Sequence, residues 1–254
     1  RDSNFTILKR SELLKRISLE YKVIGISGTH GKTTISIMLS HILKSAGFSP
    51  SAFFGGISLN YDTNFLIGTG EYMIVEADEY DQSFLNLSPA ISLITSLDRD
   101  HVDTYPSEED MIESFYHFYI NTQEILFVGP DVSAKFHNYL NNHGYGTASV
   151  TELDELEYQN NYRESLRNMC EHNIKNAIIA ATIAKYIGVT NVQIQKCFQN
   201  YRGVKRRFEY HSDSKDLILI DDYAHHPKEL KVLINSIRKL YLNRDLFLIF
   251  QPHL

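Results

Sequence analysis

The sequence is poor in cysteine and has no excess of basic over acidic residues. It has two cysteines, Cys170 and Cys197. Their spacing matches no metal-binding pattern, and two are too few for a disulfide framework, so we expect small buried thiols in a reducing compartment. The net charge of −6 at pH 7 provides no general attraction to a nucleic-acid backbone. No nucleic-acid partner is therefore expected.

Long hydrophobic runs are also absent. The longest, such as 217–220 and 246–250, are far shorter than the ~20 apolar residues that a membrane helix needs. No membrane insertion is expected, no signal peptide is visible, and a cytoplasmic location is the default expectation. Residue 1 is arginine and not methionine, so we expect this chain to be part of a longer protein.

What the sequence does contain is a series of short β-favouring runs separated by helical stretches. The predicted strands lie at 21–26, 72–76, 91–96, 124–129, 217–222 and 246–250. Several are apolar on consecutive residues, which is typical of a parallel sheet covered on both faces. Helices are predicted at 35–46, ending at Gly47, and at 174–187, ending at Gly188. This alternation predicts a doubly wound α/β fold.

A polar, charged segment at 202–216 suggests a domain boundary. We assign residues 1–210 to a nucleotide-binding domain and 211–254 to the beginning of a second α/β domain. The segment 144–170 has weak periodicity and is left unassigned, and we expect the first domain to be incomplete across 130–170.

A glycine-studded turn, GISGTHGKTT, follows the first predicted strand and precedes the first predicted helix. Gly28 and Gly31 permit a tight turn that directs free N–H groups at an anion. Lys32 could reach phosphate oxygens, and the Thr33 hydroxyl could bind Mg²⁺. The usual phosphate-loop spacing would need glycine at position 26, where this chain has Ile26, so a plain glycine-rich turn is the alternative.

Two apolar strands end in acidic residues, and each could supply a further Mg²⁺ ligand. Glu76 ends one strand, and Asp221 and Asp222 end another. Spacing alone does not choose between them. An acidic residue at the end of a strand can equally cap a helix or lie in a solvated loop.

A third acidic group follows the strand predicted at 91–96. Asp98, Asp100, His101 and Asp103 lie where an α/β sheet usually binds its ligand. Histidine and aspartate together can hold a divalent metal. The alternative is an acidic loop with a surface histidine.

Asparagine and arginine side chains form two weaker motifs. Asn173 and Asn176 are three residues apart at a helix start, where their amides could bind a base edge or cap the helix. Lys205, Arg206 and Arg207 could contact phosphates or form a solvated basic loop.

A paired histidine precedes a proline in DDYAHHPKE. His225 and His226 follow Asp222 in a predicted strand-to-helix turn. They could border a ligand or lie on the surface.

Taken together and in order, these motifs resemble the Mur ligase family. The matching segments are GTHGKTT, EADEYDQSF, DRDHVDTY, HNIKNA, GVKRRFE, DDYAHHPKE and FQPHL, from Gly28 to Leu254. In that family the phosphate loop has the pattern G-T-x-G-K-T-T, so Ile26 is no defect.

The resemblance implies a role for each matching position. The implied ATP contacts are Gly28, Thr29, His30, Gly31, Lys32, Thr33, Thr34, Asn173, Asn176, Arg207 and Asp222. The implied Mg²⁺ ligands are Thr33, Glu76 and His101, and the implied catalytic groups are Lys32, Glu76, His101 and Arg207. The implied substrate contacts are His30, His225, His226 and His253.

The resemblance also implies a reaction that uses ATP and Mg²⁺. The motifs are most similar to the branch that joins L-alanine to the lactyl carboxylate of UDP-N-acetylmuramate through an acyl phosphate, in peptidoglycan precursor synthesis. A recycling ligase that adds a tripeptide to the same sugar nucleotide and a catalytically incomplete nucleotide-binding fragment are the alternatives. We expect the family's N-terminal UDP-binding domain to lie outside this chain.

Overall fold

The computed structural model describes residues 7–80, 82–98, 104–153, 162, 165–166, 169–225 and 227–252. The strands are β1 Lys22–Ser27, β2 Ser51–Ser58, β3 Thr63–Leu66, β4 Tyr72–Glu76, β5 Ile91–Ile94, β6 Ile125–Val128, β7 Ser149–Glu152, β8 Glu209–Asp213 and β9 Ile218–Asp221. The α-helices are α1 Arg10–Ser18, α2 Lys32–Ser45, α3 Glu108–Ile120, α4 Pro130–His143, α5 Glu171–Ile187, α6 Asn191–Asn200 and α7 Pro227–Leu240. A short 3₁₀ helix spans Ser83–Asn86.

Seven strands form one sheet in the order β3-β2-β4-β1-β5-β6-β7. All neighbouring pairs are parallel except β2 with β3. The α/β prediction is therefore confirmed. Because β1 lies between β4 and β5, the carboxyl ends of these three strands meet at one edge of the sheet, where α/β proteins usually bind ligands.

Helices cover the sheet on both faces, which explains the continuous apolar strands. In β1, Ile24 and Ile26 pack in a core with residues of α2, α5 and α6, whereas Val23 packs in a core with residues of α3 and α4. Ile24 and Ile26 are fully buried, and each such side chain contributes about 1.5–3 kcal/mol of hydrophobic stabilisation. This burial holds β1 rigidly at the centre of the sheet.

The C-terminal part begins with an antiparallel hairpin of β8 and β9, followed by α7. Phe208 and Leu233 pack with Cys170, at the start of α5, in a small apolar cluster. The domain boundary predicted after Tyr210 falls inside β8 and stays a prediction.

Several sequence predictions need correction. The strand predicted at 246–250 is not formed, and Phe247 and Ile249 there are 90% and 97% exposed. Within the described residues, this segment pairs with no strand. The helix predicted from Ile35 begins at Lys32, because the glycine turn leads directly into it. No helix in the described part of the chain combines the length and the apolar character needed to cross a membrane.

Candidate nucleotide-binding site

The glycine turn between β1 and α2 depends on two glycines with left-handed backbones. Gly28 has φ 111° and Gly31 has φ 84°. A Cβ on Gly28 would lie 2.3 Å from Thr95 Oγ1 and 2.7 Å from the Thr95 nitrogen, and one on Gly31 would lie 2.7 Å from Asn176 Oδ1. A larger residue at Gly28 is therefore excluded by backbone conformation and by the Thr95 backbone, and one at Gly31 would be strained and would have to displace the Asn176 side chain. The turn has the strand-to-helix form of an anion-binding loop.

Lys32, the first residue of α2, lies back over this turn. Its Nζ donates hydrogen bonds to the Gly28 carbonyl oxygen and to Glu79 Oε1, each at 2.8 Å. The side chain of Glu79 is only 2% exposed and that of Lys32 12%. Burial raises the pKa of the Glu79 carboxyl, while the charge and hydrogen bond of Lys32 oppose that change. The loop therefore contains a largely buried ion pair.

Thr33 and Glu76 form the second polar contact of the loop. The Thr33 hydroxyl donates to Glu76 Oε1 at 2.8 Å, and the Gly55 N–H donates to Glu76 Oε2 at 2.6 Å. A Cβ on Gly55 would lie 2.7 Å from both carboxylate oxygens, so β2 approaches Glu76 closely only because residue 55 is glycine. Of the acidic strand ends proposed from the sequence, Glu76 contacts the loop.

Asp222 has a different position. Its carboxylate accepts hydrogen bonds from the N–H groups of Phe208 and Ala224, both at 2.8 Å. It therefore fixes the turn after β9 against the segment that precedes β8. Asp221 lies 3.8 Å from Arg206 Nε and 3.8 Å from His211 Nε2.

The remaining loop residues connect to β5 and α7. Thr29 Oγ1 accepts from the Asp98 N–H at 2.9 Å, and the His30 N–H donates to Ser96 Oγ at 3.1 Å. His30 Nε2 lies 3.0 Å from Asp98 Oδ2, and its Nδ1 lies 4.0 Å from Glu229 Oε1. These contacts place the His30 ring between the sheet and the start of α7.

The paired asparagines lie in the first turns of α5. Asn176 reaches Gly31, and Asn173 lies one turn earlier and is half-buried. The N-cap residue of α5 is Cys170, with no side-chain cap, so neither asparagine is the capping residue. Thr34 is buried in α2.

Arg207, which precedes β8, lies beside Tyr223, which is in the turn that follows β9. The guanidinium carbons of Arg206 and Arg207 lie 5.1 Å and 5.2 Å from the Tyr223 ring centroid, within cation–π range. Arg206 and Phe208 on either side have φ of 57° and 52°, an uncommon conformation for such residues. The Tyr223 N–H donates to the Arg206 carbonyl at 2.8 Å and joins the two segments.

His225 extends this turn toward α7. Its Nδ1 lies 3.1 Å from the Tyr223 carbonyl oxygen, and its N–H donates to Glu229 Oε2 at 3.1 Å. Glu229 is therefore near both His225 and His30. The predicted site residues His101, His226 and His253 lie outside the described residues.

Sequence reasoning missed two acidic residues of this site. Glu79 was visible within EADEYD, but its partner Lys32 lies 47 positions away, and no local pattern reveals such a pair. Glu229 is an ordinary first-turn acid of α7, and only the tertiary arrangement brings it to His30.

The two cysteines are buried, as expected. Burial raises the pKa of the Cys170 thiol to about 12. Its sulfur lies 3.2 Å from His172 Nε2. The thiol is thus neutral near pH 7 and is a poor nucleophile.

Comparison with protein families gives two matches along this chain. The Mur ligase middle domain matches residues 26–191, and the Mur ligase glutamate ligase domain matches residues 206–253.

Individual proteins named UDP-N-acetylmuramate–L-alanine ligase are similar to the whole chain. The Cytophaga hutchinsonii protein is 37% identical, with 100% of this chain and 59% of that protein covered. The Christiangramia forsetii protein is 36% identical, with 99% and 58% covered. This chain therefore spans about three fifths of the length of these relatives. Among solved structures, the UDP-N-acetylmuramate-alanine ligase of Thermotoga maritima has a TM-score of 0.71 at 22% identity, covering 92% of this chain and 57% of that one.

Proposed function

The chain belongs to the Mur ligase family, and from that premise we propose that its protein is an ATP-dependent ligase. The reaction joins L-alanine to the lactyl carboxylate of UDP-N-acetylmuramate, an early step of peptidoglycan synthesis. One observation carries the proposal: Lys32, Thr33 and Glu76 meet at one strand edge, in a chain similar throughout to ligases of that name. Residues 1–210 form the ATP-binding domain in this proposal, and 211–254 begin the next domain.

ATP binds with its phosphates in the turn from Gly28 to Gly31. The backbone N–H groups of the turn and the start of α2 attract the anion. Lys32 is already at this loop, and its ammonium neutralises part of the phosphate charge. Asn176 lies against Gly31 and, with Asn173, borders the nucleotide.

Thr33 and Glu76 fit a Mg²⁺ site. Their facing oxygen atoms are 2.8 Å apart, and hydroxyl and carboxylate oxygens are the ligands that this hard cation prefers. The Gly55 N–H fixes the orientation of the carboxylate. When bound, Mg²⁺ supplies positive charge against the phosphate oxygens. His101 is proposed as a ligand of a second Mg²⁺ from the family resemblance alone.

Residues from Arg207 onward complete the proposed site. Arg207 carries a permanent positive charge to the phosphates, and its guanidinium carbon lies 5.2 Å from the Tyr223 ring centroid. Asp222 fixes the turn that carries both segments and lies close to the nucleotide. His30 and His225, with His226 and His253, border the sugar nucleotide and the amino acid.

The reaction has two steps that balance without a redox partner. A carboxylate oxygen of UDP-N-acetylmuramate attacks the γ-phosphorus of ATP, ADP leaves, and an acyl phosphate results. The amine of L-alanine then attacks the acyl carbon, loses a proton, and displaces inorganic phosphate. Because two anions meet in the first step, charge neutralisation by Lys32 and Arg207 is the main demand on the chain. The proposed location of this ATP-dependent reaction is the cytoplasm.

The test is phosphate release by the purified protein in its full natural length. With ATP, Mg²⁺ and UDP-N-acetylmuramate, we expect release to depend on added L-alanine. The control omits the sugar nucleotide. Release that requires the stem tripeptide in place of L-alanine would move the protein to murein-peptide recycling, and no release with either amine would overturn the ligase proposal.

A further inference from the structure

We propose that Glu79 is a positioning residue that holds the Lys32 ammonium in the orientation needed for phosphate transfer. The inference rests on the proposed function, because it assigns Lys32 to the phosphates of ATP. It concerns a residue that lies three positions beyond Glu76 and whose carboxylate faces the loop lysine.

The geometry restrains Lys32 at two points. An ammonium has three hydrogen-bond donors. Two of them are used within the described residues, one by the Gly28 carbonyl and one by Glu79 Oε1, each at 2.8 Å. The third N–H of the Lys32 ammonium is left to donate to a phosphate oxygen bound in the turn from Gly28 to Gly31. A flexible lysine side chain otherwise loses rotamer entropy when ATP fixes it, and these two hydrogen bonds fix it before ATP binds.

Glu79 is itself held in place. The Tyr105 hydroxyl donates to the Glu79 carbonyl oxygen at 2.7 Å, and the Gln82 N–H donates to the same oxygen at 3.1 Å. Tyr105 is 2% exposed and packs in the core with residues of α3 and α4. These contacts fix the Glu79 backbone, from which its carboxylate extends. A group that orients a catalytic side chain needs to be fixed in this way.

Because Glu79 is charged, a role in positioning Lys32 can be distinguished from a purely structural role. A buried carboxylate beside a phosphate site repels the phosphates and weakens ATP binding in the ground state. Removing its charge should thus strengthen ATP binding, while the loss of orientation slows the chemical step. A residue that only stabilises the fold would not produce these opposite changes.

The chain offers a matched control. Lys22 and Glu71 form a second Lys–Glu ion pair at 2.9 Å, with side chains 51% and 58% exposed. It lies at the amino end of β1, at the opposite edge of the sheet from the loop. Glu71→Gln removes the same charge from an exposed Lys–Glu pair that lies away from the site.

The experiment compares Glu79→Gln, Glu79→Ala and Glu71→Gln in the full-length protein. Three quantities are measured: kcat with its KM for ATP, the Kd of a fluorescent ATP analogue with Mg²⁺, and the melting temperature. We expect kcat up to about 100-fold lower in Glu79→Ala, with a smaller loss in Glu79→Gln, which keeps a hydrogen-bond acceptor. Glu79→Gln should bind the analogue severalfold more tightly, and Glu71→Gln should match the wild type.

A double-variant comparison isolates the link to Lys32. In a Lys32→Met background, Glu79→Gln should change kcat no further, because the group it positions is gone. Parallel losses in kcat and ATP binding, an unchanged kcat, or unfolding of both Glu79 variants would each overturn the proposal. If the wild type shows no L-alanine-dependent release but Glu79→Gln still tightens nucleotide binding, the ligase function fails and the placement of Glu79 against the phosphate site stands.

Discussion

The Thr33 hydroxyl donates a 2.8 Å hydrogen bond to Glu76 Oε1, joining the first turn of α2 to the end of β4. This contact places a hydroxyl and a carboxylate at the carboxyl edge of the sheet, beside the turn from Gly28 to Gly31. Glu76→Gln keeps the shape and removes the charge, so we expect turnover about 100-fold lower. The Mg²⁺ concentration needed for half-maximal rate should rise, and a Mg²⁺ titration of phosphate release measures both effects.

The control for that variant is Glu124→Gln. Glu124 is exposed and lies just before β6, at the amino end of the same sheet. Its rate and Mg²⁺ dependence should equal those of the wild type. An unchanged Mg²⁺ dependence in Glu76→Gln would contradict the proposal that Glu76 binds Mg²⁺.

Lys32→Ala should affect both rate and stability. Loss of the ammonium removes a preorganised positive charge, so we expect turnover on the order of 10²–10³ lower. It also leaves the Glu79 carboxylate buried without its lysine, and breaking a buried pair by removing one partner costs about 3–5 kcal/mol. Chemical denaturation of Lys32→Ala should show this loss.

The matched variant combines Lys32→Ala with Glu79→Gln. Removing the second charge should restore much of the free energy of unfolding but none of the rate. Near-normal turnover in Lys32→Ala would contradict the assignment of this turn as a phosphate loop.

Local sequence patterns were enough to predict the elements that carry the site. The strand predicted at 72–76 is β4 to the residue, and β1 and α2 lie within a few residues of their predicted bounds. Each of these segments has a strong apolar pattern and either ends at an acidic residue or is closely followed by a glycine, which are local signals.

The missed strands lack such signals. β2 contains Gly55 and Gly56, and glycine lowers strand propensity. It forms nevertheless because it pairs with β4, where the absent side chain lets the Gly55 N–H reach Glu76. β7 is short and polar at the sheet edge. These two strands therefore depend on pairing with strands that are distant in the sequence. The Lys32–Glu79 contact likewise depends on the tertiary fold and not on a local pattern.

Gly31→Ala tests the tight turn. Alanine there must adopt φ 84°, and its Cβ would lie 2.7 Å from Asn176 Oδ1. We expect destabilisation by more than the roughly 1–2 kcal/mol that a left-handed backbone costs an L-residue, together with loss of ATP binding. Gly47→Ala is the control, since Gly47 has φ 92° but no atom near its Cβ, so only the conformational cost should appear. Equal losses of stability in both variants would show that the approach of Asn176 is unimportant.

The burial of His41 leads to a prediction of how the free energy of unfolding depends on pH. It is 6% exposed within α2, where Nδ1 accepts from the Tyr61 hydroxyl at 2.8 Å and Nε2 donates to the Cys197 carbonyl at 3.2 Å. Burial lowers the pKa of His41. The unfolded chain, with a histidine pKa of about 6.5, then binds this proton more readily than the folded one. The contribution of neutral His41 to the free energy of unfolding is therefore fully present above about pH 6.5. It is lost as the pH falls toward the lower pKa that His41 has in the folded protein.

We therefore expect the free energy of unfolding to decrease as the pH is lowered from 7 to 5, measured by urea denaturation. His41→Gln, which cannot be protonated, should show a shallower decrease over the same range. The exposed His117 on α3 supplies the control, because His117→Gln should keep the wild-type slope. A His41→Gln protein whose slope equals that of the wild type would mean that His41 gains its proton in the folded state as easily as in the unfolded one.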